Sequence, residues 1–288
     1  MWCSQDVLDI ITRFELQPGT SFYAYNLSTC IGRVEYIKEN FKNWNLLYSM
    51  KANPNHVILK NIIECNVGID AASKQEVFWA RKLGCQKENI FFSAPGKTKN
   101  DLQRCYNQCT LIADSINEVK RIIEISNEFG KQINIGIRIN IPNLEIRDNA
   151  LEIMSGISSK FGISIQDVRS VIDICKNNSV KIIGIHVYFG SQILNENIII
   201  NNFIKIADYT LNISKDIELN FVTFGGGFGI PYINSEEHLK ISNIAKNVIL
   251  QEKVNLLKSR NIKCNLELGR YLVAEAGVFF IMQEIAIA

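Results

Sequence analysis

No block of like charge marks this sequence. The net charge is +2 and the basic residues are dispersed, so nothing calls for nucleic acid or an anionic membrane as a partner. There are only three histidines, none at ligand spacing, and the eight cysteines (Cys3, Cys30, Cys65, Cys85, Cys105, Cys109, Cys175 and Cys264) include no Cys-x-x-Cys pair, which argues against a bound metal. No run is apolar enough to span a bilayer: Val278 to Ala288 covers eleven residues and carries Glu284, far short of the ~20 required. Met1 to Asp6 shows neither a basic leader nor a long apolar core, so free thiols and a cytoplasmic protein are expected.

What is present suits one large domain, or one with a small companion: 288 residues, 47% of them hydrophobic and 21% charged. A short helix (Val7, Leu8, Ile11, Phe14), a turn at Pro18-Gly19, an alternating strand at 21–26 and an amphipathic helix from about Leu27 to Phe41 come first. A rhythm then begins. Strands are expected at about 45–51, 67–71, 89–93, 110–113, 133–139, 181–188, 219–224 and 263–267, with helical patterns between them. Ser73-Lys-Gln-Glu76 and Ser115-Ile-Asn-Glu118 read as capping boxes, and Gly84 and Gly130 stand where those helices stop. Ile116, Val119 and Ile123 share one apolar face, as do Val168, Val171, Ile172 and Cys175, and again Ile199, Phe203 and Ile206. Short apolar strands alternating with amphipathic helices imply a parallel sheet under helices. Eight such units point to a closed (β/α)8 TIM barrel, with an open doubly wound sheet as the alternative.

In such barrels chemistry is carried at the C-terminal ends of the strands. There this chain places Lys51, Asp70, Arg138, the run His186 to Gln192, the run Gly225 to Gly229, and Glu267 with Arg270. A lysine between a dry strand and a helix start is expected to lose ammonium solvation, so that its pKa falls and its amine can form a Schiff base; a strand-end lysine with its head in water is the plainer reading. Gly225, Gly226 and Gly227 allow close backbone approach to an anion, and Arg270 stands beside them, a phosphate site unless the glycines only make a tight turn. A carbonyl-seeking amine and a phosphate cradle at one rim suggest pyridoxal 5'-phosphate, with Glu267 facing its ring nitrogen, or else paired with Arg270. His186 and Tyr188 share a strand face and can lie against the ring, although His186 also reads as a hydrogen-bonded interior histidine. Ser191 is a phosphate or substrate hydroxyl or a loop serine. Asp70 and Arg138 orient Lys51 or the ring hydroxyl, or form an internal ion pair.

The motifs Tyr48-Ser-Met-Lys51-Ala-Asn-Pro-Asn55, Gly68-Ile-Asp70-Ala-Ala-Ser73, Ser159-Lys160-Phe161-Gly162, Gly184-Ile-His186-Val-Tyr188-Phe-Gly190-Ser191-Gln192, Gly225-Gly-Gly227-Phe-Gly229 and Glu267-Leu-Gly-Arg270 occur in one order. In that order they resemble the fold-type III pyridoxal-phosphate decarboxylases, which include diaminopimelate, ornithine and arginine decarboxylases. The resemblance covers roughly residues 20–288. It implies an alanine-racemase-like barrel, an internal aldimine on Lys51, phosphate held by the glycine run and Arg270, Glu267 at the pyridine nitrogen, Ser191 in the cofactor site, and a homodimer. Racemases of this fold place an arginine opposite that nitrogen, so Glu267 argues for decarboxylation.

The chain departs from the family pattern in three places. Tyr188 stands where many members have a histidine stacked on the ring, and Glu-Pro-Gly-Arg reads Glu267-Leu-Gly-Arg270. With Pro95-Gly96-Lys97-Thr98, these features resemble a biosynthetic branch acting on free amino acids or on amino acids tethered to carrier proteins. The resemblance also divides the chain into 1–27, a segment contributing to a β domain, 28–277, the cofactor-binding barrel, and 278–288, the start of the β domain. Phe280 to Ala288 is expected as that domain's first strand, left without partners, and the rest of the domain, with its catalytic cysteine, is expected to be missing. A non-catalytic homologue that binds cofactor is the alternative function.

Overall fold

A strand-and-helix alternation that begins at Ser21 closes into a barrel in the structure of the protein, a computed structural model that describes residues 9, 13, 21–142, 144 and 160–281. The expected helix at Val7 to Phe14, the Pro18-Gly19 turn, Ser159 and the stretch 282–288 lie outside the described residues, Asp9 and Arg13 excepted.

The strands are β1 (Ser21–Tyr25), β2 (Asn45–Ser49), β3 (Gly68–Ala71), β4 (Ile90–Phe92), β5 (Thr110–Ala113), β6 (Ile133–Asn140), β7 (Ile163–Ser164), β8 (Val180–Tyr188), β9 (Phe221–Gly225), β10 (Lys263–Leu268) and β11 (Gly277–Ile281). The helices are α1 (Leu27–Asn40), α2 (His56–Glu64), α3 (Lys74–Lys82), α4 (Lys99–Cys105), α5 (Ile116–Phe129), α6 (Val168–Lys176), α7 (Glu196–Ile213), α8 (Ile241–Ala245), α9 (Val248–Ser259) and α10 (Arg270–Val273). Eight strands pair in parallel in the order β5-β4-β3-β2-β10-β9-β8-β6, and β5 pairs with β6 to close the ring. This is the (β/α)8 barrel, not the open sheet.

The helices form because their apolar residues recur on one face. Val168, Val171, Ile172 and Cys175 of α6 are all buried, as are Ile199, Phe203 and Ile206 of α7, whereas on α5 the buried face runs through Val119, Ile122 and Ile123. The expected capping boxes form by half. The Ser73 and Ser115 hydroxyls accept from the Glu76 and Glu118 amides. Glu76 instead accepts from the Ala72 amide, and Glu118 pairs with Lys97 at 2.7 Å in the buried core. The reciprocal box lies at Thr98 and Asp101, where side chain and backbone bond both ways.

Inside the barrel, side chains alternate between layers as strand geometry requires. Leu47, Phe91, Ile112 and Phe221 form an apolar plug, with Gly136 leaving room for the Phe221 ring, since a Cβ there would meet Phe221 Cζ at 3.0 Å. One layer nearer the strand C-termini the buried residues turn polar: Ser49, Asp70, Ser93, Arg138, His186, Thr223 and Glu267. Unsatisfied polar groups in such a layer cost heavily, and within it Ser49 and Ser93 bond to Asp70 and His186 bonds to Glu267.

The expected unpartnered strand at Phe280 is corrected. It begins at Gly277 and pairs antiparallel with β1, Tyr25 opposite Gly277 and Phe22 opposite Phe280. The seven cysteines among the described residues are free, and no group of metal-binding side chains occurs among those residues. None of the described helices is long and apolar enough to cross a membrane.

Candidate active site at the barrel mouth

The Lys51 turn is built locally. β2 ends at Ser49, a short 3-10 turn spans Met50–Ala52, and the Tyr48 hydroxyl donates to the Asn53 carbonyl at 3.0 Å. Asn55 then caps α2 by accepting from the Val57 amide at 2.9 Å. β10 lies beside β2 with Glu267 opposite Leu47, so Lys51 and Glu267 reach the same end of the barrel. Both line one cavity of about 580 Å³, together with Ser49, Tyr188, Ser191, Gly227, Gly269 and Arg270.

Three other expected site residues stand one contact behind that cavity. Asp70 accepts from the hydroxyls of Ser49, at 2.8 Å, and Ser93. His186 Nε2 lies 2.8 Å from Glu267 Oε2, both side chains buried. Arg138 lies with its guanidinium 5.7 Å from the Tyr188 ring centre and pairs with Asp114 at 3.4 Å. The ion pair read for Asp70 and Arg138 is therefore not between them, and Glu267 is paired with His186 instead of Arg270. Arg270 donates to the Tyr232 hydroxyl at 3.1 Å.

The glycine run divides its work. A Cβ on Gly225 would stand 2.7 Å from Tyr188 Cα, and one on Gly226 would stand 2.6 Å from Leu268 Cδ2, so these two glycines permit close strand packing. The Gly226 amide already donates to the Glu267 carbonyl at 3.0 Å. Gly227, at φ 57, is the member that lines the cavity.

Electrostatics correct one expectation outright. Burial alone would lower the Lys51 pKa, but Asp70, Glu267 and Tyr188 outweigh it and the net shift is upward, so Lys51 is held as an ammonium. Burial, then the Glu267 charge, pushes Asp70 up to about 6 against the pull of Lys51 and His186. Burial would also raise Glu267, yet the His186 hydrogen bond and charge, with Lys51, bring it down to about 2.

Sequence reasoning passed over Ser49, Asn53 and Tyr232, which line the cavity, and Asp114, which holds Arg138. Two signals were available: Asp114 directly follows β5, at the same rim as the chosen residues, and Tyr232 closes the Ile230-Pro231-Tyr232 stretch after the glycine run. Pyridoxal phosphate fits what is present. The cavity offers an amine (Lys51), a carboxylate (Glu267) and a guanidinium (Arg270) to one occupant, the three groups that an aldehyde, a ring nitrogen and a phosphate require.

Residues 27–274 match the model of the family described as pyridoxal-dependent decarboxylase, pyridoxal binding domain. The chain is 31% identical over 282 residues to the L-glutamyl-[BtrI acyl-carrier protein] decarboxylase of Niallia circulans, covering 95% of this chain and 64% of that protein. It is 30% identical to the diaminopimelate decarboxylase of Campylobacter jejuni, covering 91% of this chain and 65% of that one. The crystal structure of diaminopimelate decarboxylase from Helicobacter pylori complexed with L-lysine superposes with a TM-score of 0.83 at 28% identity, over 93% of this chain and 68% of that chain. This chain thus spans less than two thirds of these two curated relatives, at 64% and 65% of their lengths. With a closed barrel, a lysine and a carboxylate in one mouth and a family match over most of its length, the chain belongs to the pyridoxal-dependent decarboxylases, through their pyridoxal-binding domain.

Proposed function

We propose that the protein is an α-decarboxylase of amino acids that uses pyridoxal 5'-phosphate, with Lys51 as the residue that holds the cofactor covalently. The observation that carries this reading is the placement of Glu267, a buried carboxylate kept anionic by His186, in the same cavity as Lys51. A carboxylate at a pyridine nitrogen stabilises its protonated form. When bound, the cofactor supplies a ring that accepts the electron pair left at Cα as CO₂ departs.

The protein's own groups do the rest. Lys51 must shed a proton before its nitrogen can attack a carbonyl, and Asp70, raised to about 6, is the nearby carboxylate able to hold one near neutrality. Ser49, which lines the cavity with Lys51, donates to Asp70. Tyr188 offers a flat face beside Lys51, and Arg270 and Gly227 offer a cation and a close backbone approach for phosphate. Asp70, Arg138 and His186 act through Ser49, Tyr188 and Glu267 respectively.

The substrate class is an α-amino acid with a free α-carboxylate. The relatives' names support both a free diamino acid and an aminoacyl group on a carrier protein, and a homodimer is the assembly proposed from the resemblance. The test is CO₂ release from a panel of free L-amino acids and of carrier-bound thioesters joined through a side-chain carboxyl, so that the α-carboxylate stays free. Release by the wild-type protein, lost in Lys51→Ala, is expected; bound cofactor with no release from any member of the panel would contradict the decarboxylase reading.

A further inference from the structure

His186 is buried, 2% exposed, and does not line the cavity, so it cannot serve by touching a ligand there. It sits on β8, while its partner Glu267 sits on β10, with β9 between them. The bond therefore crosses the barrel interior above Thr223, the β9 residue in register with His186. Glu267 is an anion and can only accept, so the hydrogen of this 2.8 Å contact is on His186 Nε2. The bond occupies Oε2 and leaves Oε1 as the carboxylate oxygen available to the cavity that Glu267 lines. Nδ1 has no hydrogen-bond partner among the described residues, so Glu267 is the single side-chain anchor of this imidazole.

We propose that His186 is a positioning residue: by donating to Oε2 it fixes Glu267 as a carboxylate with its other oxygen free for the ring nitrogen of bound pyridoxal phosphate. This rests on the cofactor reading above and adds to it the group that sets the state of the carboxylate. Without the donor, a buried Glu267 would lose the hydrogen bond that offsets its desolvation, and its proton affinity would rise toward that of the ring. The nitrogen would then share or lose its proton.

A purely structural brace between β8 and β10 would give the same coordinates but a different spectrum. The experiment binds pyridoxal phosphate labelled with ¹⁵N in the ring to the wild-type protein, to His186→Phe and to His186→Gln, and records the ring-nitrogen chemical shift with the thermal midpoint of each. A protonated nitrogen is expected in the wild type, a shift toward the unprotonated position in His186→Phe, and recovery in His186→Gln, whose amide can donate. A wild-type shift in His186→Phe, whatever its stability, would overturn this inference alone. Failure of the wild type to bind the label would overturn the cofactor reading and this inference together. A second measurement needs no variant. With three histidines to assign (His56, His186 and His238), ¹⁵N-histidine spectra of the loaded wild-type protein should show hydrogen on His186 Nε2. A bare Nε2 would overturn the proposal even if His186→Phe does not fold.

Discussion

The ammonium of Lys51 stands 5.1 Å from the centre of the Tyr188 ring. The two residues come from the ends of β2 and β8, which are separated in the barrel by β10 and β9. Their approach therefore takes place over the barrel mouth, with the Tyr188 ring face turned to the Lys51 ammonium. Glu267, on the intervening β10, borders the same space.

Removing the charge of Glu267 tests its role at the cavity wall. Glu267→Gln is expected to retain cofactor and lower kcat on the order of 100-fold, the scale of one preorganised electrostatic contact. Steady-state CO₂ release checks this, and an unchanged kcat would exclude Glu267 from the chemistry.

Arg270 is exposed, lines the cavity and donates to the Tyr232 hydroxyl. Arg270→Met should weaken pyridoxal phosphate binding about 10- to 100-fold, the value of one or two charge-assisted hydrogen bonds, and leave binding of pyridoxal, which lacks the phosphate, unaltered. Equilibrium titration of both ligands distinguishes a phosphate contact from a general loss of fold.

Gly225→Ala would press a methyl group to 2.7 Å from both Tyr188 Cα and the Val187 carbonyl oxygen, backbone atoms with little room to move. A loss of about 1–3 kcal/mol is expected, as for other overpacked cores, read as a lowered thermal midpoint. The open position of Gly84, where nothing lies within 4 Å but φ is +99, should lose stability for backbone reasons instead.

Asp70 makes stability depend on pH in a definite direction. Its folded-state pKa of about 6 lies above the ordinary 3.8, so its contribution is fully present below pH 3.8 and lost as pH rises through 6. Asp70→Asn removes this slope. Unfolding measurements should therefore find the variant gaining on the wild type between pH 4 and pH 7, by at most about 3 kcal/mol. A difference that stays flat or moves the other way would show that Asp70 is not held up by burial.

Much of this was legible in the sequence, for identifiable reasons. The eight barrel strands match the expected runs within about two residues because each is a short apolar block bounded by helix signals. Lys51, Glu267, Tyr188, Ser191, Gly227 and Arg270 converge because a strand's C-terminal end fixes which rim a residue serves. Pairings were not legible. Glu118 satisfies the spacing of a capping box yet turns to Lys97, because a buried ammonium needs a carboxylate more than a half-buried neutral amide does. The direction of the Lys51 shift also escaped, since burial could be inferred from one strand while its two carboxylate neighbours come from β3 and β10. The β1 and β11 pairing joins segments at opposite ends of the described chain, and no local pattern records it.

The most direct test is covalent. The protein is loaded with pyridoxal phosphate, reduced with borohydride, digested and mapped by mass spectrometry. The account predicts a single phosphopyridoxyl-modified peptide carrying Lys51, absent from Lys51→Ala; modification spread over surface lysines, or a Lys51→Ala variant labelled as fully as the wild type, would contradict it.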